Sequence, residues 1–197
     1  VLVSYGGPFG ENYFYTTEDV LGDAKLRHFT PEPELSYKAR RRGMGNGPGP
    51  GGWFRKEEYV FSQHGAFVKD LIENGARAAV GSHGQLQGLG YHWELWAIQS
   101  GGLSAHDALR VATIYGAEAI GMGADVGSLE PGKLADLIVL DQNPLENIRN
   151  TNSVRYVMKN GRLYEGETLK EIYPRQRELP KQWWMDSSEP KVQPGIR

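Results

Sequence analysis

The 197-residue chain contains no cysteine, which excludes a disulfide framework and a thiolate metal site, so any metal must be held by histidine and carboxylate. It has no apolar run of about 18 residues, the length that a membrane-crossing helix needs. It also lacks a basic excess: 22 Lys and Arg against 24 Asp and Glu leave a formal net charge of −2. That balance builds no positive field of the kind nucleic-acid binding requires. Neither a nucleic acid nor a membrane is therefore expected as a partner.

What is present reads as strands and helices in alternation. Val1–Tyr5 is an apolar strand already under way at the first residue, without an initiator Met or a signal peptide, as expected of a fragment or processed piece. A connection of roughly fifty residues follows, far beyond the usual 2–6 of a strand-to-helix loop. Its aromatics (Phe9, Tyr13, Phe14, Tyr15) imply an ordered flap with its own packing, whereas Gly43–Gly52 would move easily. Arg40, Arg41 and Arg42 between them read as a solvated charge run.

Glu57 to Asn74 carries apolar residues every three to four positions and ends at Gly75, which predicts a helix. His64 lies on its apolar face, where a satisfied core histidine is the ordinary outcome. Ala76–Ser82 is a short, continuously apolar run, the pattern of a parallel strand covered on both sides. Helices are predicted over Tyr91–Gln99 and from Ser104 onward. Ser104 can cap the second one against Asp107, with Ala108, Leu109, Ala112, Tyr115 and Ala119 as the apolar stripe. Leu134–Leu140 reads as a strand, and Val154–Lys159 with Arg162–Tyr164 as a hairpin, because Asn160-Gly161 suits a type I′ turn. From about Lys170 the composition predicts an extended arm, pinned at most by Trp183-Trp184.

The chemistry concentrates at the corner Val80-Gly81-Ser82-His83-Gly84-Gln85. In a barrel of parallel strands the reactive groups sit at the carboxyl ends of the strands, and His83 is the last side chain before the loop. Gly81 and Gly84 let other groups approach it closely. His28 falls in the long connection and His106 at a helix start, both expected at the surface. His92 follows His83 by nine residues, and a turn at Gly88–Gly90 could fold it back toward the same pocket.

Two motifs, this corner and Gly127-Ser128-Leu129-Glu130-Pro131-Gly132-Lys133-Leu134-Ala135-Asp136-Leu137-Ile138-Val139-Leu140-Asp141, resemble the end of the amidohydrolase superfamily, metal-dependent hydrolases built on a (β/α)8 barrel with a small β-sandwich. The segment Gly81 to Glu94 looks closest to an imidazolonepropionase- and prolidase-like branch, often fused to a TolB-like β-propeller. The resemblance covers most of Val1–Gly166. It implies an α/β chain that is the C-terminal part of a TIM-like barrel followed by β-sandwich strands. Residues 1–123 would be the last two strand–helix units with a flap over about 6–54, residues 124–166 the sandwich segment and residues 167–197 the tail. A closed barrel needs about 250 residues, so the other units are expected upstream or on another chain.

The resemblance further implies hydrolysis of a C–N bond in a small amide, cyclic amide or peptide by metal-activated water. His83 stands where the family's eighth strand carries an Asp that ligates metal and takes the proton of the water. It is therefore the expected catalytic residue and metal ligand, with Tyr5, Gln85, Gln87 and His92 as substrate contacts. The cation, zinc by this resemblance, would be held mostly by residues absent here, since the chain has no His-x-His. Asp136 reads as structural. The isolated chain is expected to be inactive, the propeller-fused branch implies export or a periplasmic location, and a homo-oligomer is compatible. The competing reading is a non-catalytic interaction module.

Overall fold

The computed structural model describes residues 10–42, 54–83 and 86–185. The segments assigned to the first strand (Val1–Tyr5) and to the glycine-rich part of the flap lie outside them.

The long connection is a helical insert. Three short helices, α1 (Glu11–Thr17), α2 (Ala24–Phe29) and α3 (Glu32–Arg42), make up the described part of the ordered flap expected there. Local chemistry explains their boundaries. The Asp23 carboxylate accepts the Leu26 N–H at 2.8 Å and caps α2, and the Pro31 carbonyl accepts the N–H groups of Glu34 and Leu35 to open α3. Phe14, Tyr15, Val20, Leu26, Leu35 and Ala39 are all buried in one cluster with residues of the later helices. The expectation of ordered aromatics thus holds, while the sequence reading missed the helices.

A 3-10 turn, Lys56–Glu58, precedes α4 (Phe61–Glu73), so the helix predicted from Glu57 starts later. Tertiary contacts set this start: the Tyr59 hydroxyl donates to buried Asn12 Oδ1 at 2.6 Å, and its ring meets Tyr13 edge-on. Gly75, at φ 85°, ends the helix as expected. Residues 76–82, expected as a parallel strand, form none, because no ladder partner lies beside them among the described residues. Helix α5 (Leu89–Gln99) is buried nearly all round, including Trp93, Leu95, Trp96 and Ile98. It crosses α4 where an added Cβ on Gly65 would lie 2.7 Å from the Ala97 carbonyl oxygen and one on Gly101 only 1.9 Å from the Ala66 nitrogen. Backbones meet there with no room for side chains.

Ser104 caps α6 (Ala105–Ala112) as predicted, its oxygen accepting the Asp107 N–H at 3.0 Å. The stripe drawn through Ala119 is broken at Thr113, whose φ of −130° and ψ of −95° leave helical geometry and whose hydroxyl donates to the Leu109 carbonyl. A separate helix, α7 (Ile114–Ala119), follows.

Strands β1 (Leu137–Leu140), β2 (Val154–Lys159), β3 (Arg162–Glu165) and β4 (Glu171–Tyr173) form an antiparallel sheet in that order. Ile138 pairs with Val157, Val157 with Tyr164, and Leu163 with Tyr173. Asn160 and Gly161 both have positive φ, 49° and 74°, as a type I′ turn demands. The arm predicted from 167 is corrected here: Glu171–Tyr173 is the fourth strand, and Arg177 returns to exchange backbone hydrogen bonds with Glu171. Among the described residues, three polar contacts tie the segments from Arg149 onward to the insert. Arg149 pairs with Glu18 at 2.5 Å, Lys25 with Glu167 at 3.2 Å, and Trp184 Nε1 donates to the His28 carbonyl at 3.4 Å.

Candidate functional site

The corner at His83 is approached by alternating burial along residues 77–80. Ala78 and Val80 pack against the core. On the other side, Arg77 pairs with Glu118 at 2.9 Å and lies 4.4 Å over the Tyr115 ring. Ser82 approaches the start of α5, its Cβ 3.9 Å from where a Cβ on Gly90 would stand. His83 comes next, exposed, with φ 56°. A left-handed backbone on a non-glycine residue is uncommon, though histidine tolerates it better than most, and such positions collect at functional sites. The loop is then anchored by Leu86, 1% exposed, and Gly88 at φ 72° leads into α5.

Of the expected substrate contacts, Tyr5 and Gln85 lie outside the described residues. Gln87 is exposed in the turn beside this corner, its carbonyl accepting the Leu89 N–H at 2.9 Å. His92 is placed elsewhere. Gly90 faces Ser82, and two residues further on a helix is about 200° around the axis. His92 Nδ1 is 3.1 Å from Thr151 Oγ1, which also accepts from Trp96 Nε1 at 3.0 Å. Burial, aided by the charge of Lys25, pushes the imidazole down to about 4. This is a neutral histidine sealing α5 to the 3-10 turn Ile148–Asn152. The fold back toward His83 that the glycine turn suggested is not what the helix does.

His28 and His106 are exposed, as expected. Asp136 accepts the Asn160 backbone N–H at 2.6 Å and the Lys159 ammonium, which together hold its carboxyl below the usual carboxylate range, the Lys159 bond foremost. It latches β1 to the hairpin turn and has the structural role expected. Among the described residues there is no group of three or more His, Asp or Glu side chains placed to hold a metal ion. These residues alone therefore do not fit a cation site. No helix of the described residues is long and apolar enough to cross a membrane.

The decisive comparison is with families. The model of the Amidohydrolase family matches residues 54–164, more than half of the chain. The chain belongs to the amidohydrolase family. The insert 10–42 precedes the matched region. Among curated relatives, the 5-methylthioadenosine/S-adenosylhomocysteine deaminase of Teredinibacter turnerae is 38% identical over 87 residues, 39% of this chain and 20% of that protein. The imidazolonepropionase of Symbiobacterium thermophilum is 46% identical over 69 residues, 34% of this chain and 16% of that protein. The chain thus matches a fifth or less of these amidohydrolases. A solved Xaa-Pro dipeptidase with bound methionine aligns over 72% of this chain and 34% of its own, at 27% identity and a TM-score of 0.48.

Proposed function

We propose that this chain is the C-terminal part of a hydrolase that cleaves a C–N bond in a small amide, cyclic amide or peptide. The observation that carries this reading is the family match across residues 54–164, which includes the His83 corner. Relatives named as deaminases and imidazolonepropionase support C–N bonds as the target class. In this reading residues 1–123 close a barrel whose remaining units come from upstream sequence or another chain. Residues 124–166 contribute to a β-sandwich, with β4 extending its sheet. A divalent cation, zinc in this reading, is held mainly by residues outside this chain. His83 stands at the catalytic end, and Gln85, Gln87 and Tyr5 contact substrate.

The test uses the complete polypeptide that carries this chain. Metal content is measured after purification without added metal, and hydrolysis is assayed on amides, cyclic amides and dipeptides. Bound divalent cation together with turnover of one class is expected. A polypeptide that holds no cation and turns over none of them is a non-catalytic interaction module instead.

A further inference from the structure

A cleft opens at the end of α5 away from the His83 corner, about 14 Å along the helix axis from Gly90. It encloses about 370 Å³ between the insert, the start of α4, the last turn of α5 and the 3-10 turn at Ile148. That volume falls within the range of small-molecule sites, roughly 300–1,000 Å³. Its walls are aromatic: Tyr13, Phe14, Tyr59, Phe61 and Trp96. Tyr13 and Phe14 come from α1, ahead of the family match, so this wall of the cleft lies outside the matched residues.

The polar groups of the lining decide what fits. Arg149 is committed, with its guanidinium 4.7 Å above the Trp96 ring and paired with Glu18 at 2.5 Å. Lys56 has no ion-pair partner among the described residues, and the Ser62 hydroxyl, also part of the lining, has no hydrogen bond there. Asn147 uses its side-chain oxygen on the Arg149 N–H at 3.0 Å, which leaves its amide N–H groups as donors. Gln99 and Ser100 donate to the Leu103 and Ala97 carbonyls, which leaves their side-chain oxygens as acceptors; the rest of the lining offers donors and an uncompensated positive charge, and no carboxylate. A cationic ligand is repelled by Lys56 and Arg149. A compact inorganic anion leaves the aromatic walls unused, and a neutral aromatic leaves the ammonium without a counter-charge.

We propose that this cleft binds a mono- or bicyclic aromatic carboxylate. The ring packs among the aromatic walls and the carboxylate meets the Lys56 ammonium and the Ser62 hydroxyl. The site is separate from the His83 corner and does not depend on the hydrolytic reading.

The test is calorimetric titration of the polypeptide with 2-naphthoate and, as the uncharged match, 2-naphthamide. Saturable binding of the naphthoate is expected, with the amide weaker by about tenfold or more. Lys56→Met reduces naphthoate affinity to the level of the amide, and Lys56→Arg preserves it. Because Lys56 is exposed, both variants should melt with the wild type. Equal affinity for acid and amide, full affinity in Lys56→Met, or absence of saturable binding overturns the proposal. Loss of binding in His83→Ala with retention in Lys56→Met also overturns it, by moving the ligand to the other end of α5.

Discussion

Asp136 and Asn160, 24 residues apart, are joined directly: the carboxylate of the first accepts the backbone N–H of the second at 2.6 Å. With Lys159 on the same carboxylate, one side chain fastens the entry of β1 to the turn between β2 and β3. This gives a physical reason for an acid in the segment leading from Gly127 to Asp141.

Asp136→Ala should therefore lower the melting temperature by a few degrees, and leave hydrolysis by the complete polypeptide unchanged. Asp136→Asn keeps an acceptor for Asn160 and should lose less. Since the folded carboxyl titrates below its ordinary range, its contribution is present above the unfolded pKa and is lost as pH falls through the folded value. Thermal melts of both variants at neutral and acid pH read this out.

Two glycines make a contrast. Gly101→Ala forces a methyl to within 1.9 Å of the Ala66 backbone nitrogen. Separating two packed helices should cost about 3 kcal/mol or more. Gly161→Ala meets no atom within 4 Å, and only its φ of 74° opposes the change, which should cost about 1 kcal/mol. Urea unfolding of the two variants measures both; equal costs would mean that α4 and α5 do not cross at these residues.

His92 should make the protein acid-sensitive. Its folded pKa of about 4 lies below the ordinary value of 6.5, so between those limits the unfolded chain binds the extra proton and stability falls with pH. The loss from pH 7.5 to 4.5 should be about 2 kcal/mol. His92→Phe should flatten that part of the profile, and a difference profile with no slope there would show that the ring is not held neutral.

At His83 the backbone and the chemistry predict opposite responses. Under the proposed function, His83→Ala should abolish the hydrolysis assayed on the complete polypeptide with little change in melting temperature, and His83→Asp should retain bound metal. His83→Gly removes the Cβ that opposes φ 56° and should melt no lower than wild type while being inactive. Activity that survives in both Ala and Gly variants would remove residue 83 from the reaction.

Features set by neighbouring residues were legible in the sequence. Ser104 with Asp107, the stop at Gly75 and the Asn160-Gly161 turn each declare themselves within four residues, and each is where the spacing put it. Features set by distant partners were not. The triplet Glu171–Tyr173 is a strand because Leu163 and Tyr164 offer it an edge. The start of α4 is delayed by a hydrogen bond from Tyr59 to Asn12, 47 residues away. His92 turns toward Thr151, 59 residues away, although its i,i+4 relation to Trp96 was a visible hint that it belonged to the same face. The insert helices had signals that went unread, Asp23 three residues before Leu26 and Pro31 ahead of an eleven-residue helix. At the candidate site the sequence showed a polar corner, but the left-handed backbone of His83 has no signal in the residue types around it.

The insert is held by Glu18 to Arg149, Lys25 to Glu167 and the His28 carbonyl to Trp184. Two of these three fasteners lie beyond residue 164, where the family match stops. A truncation after residue 164 would therefore remove two of the three contacts that tie the insert to later segments. It would leave Phe14 packed against Trp93 and Trp96 and delete nothing from the family region, while loosening the outer edge of the insert. Borders taken from shared ancestry and borders taken from mechanical integrity do not coincide in this protein.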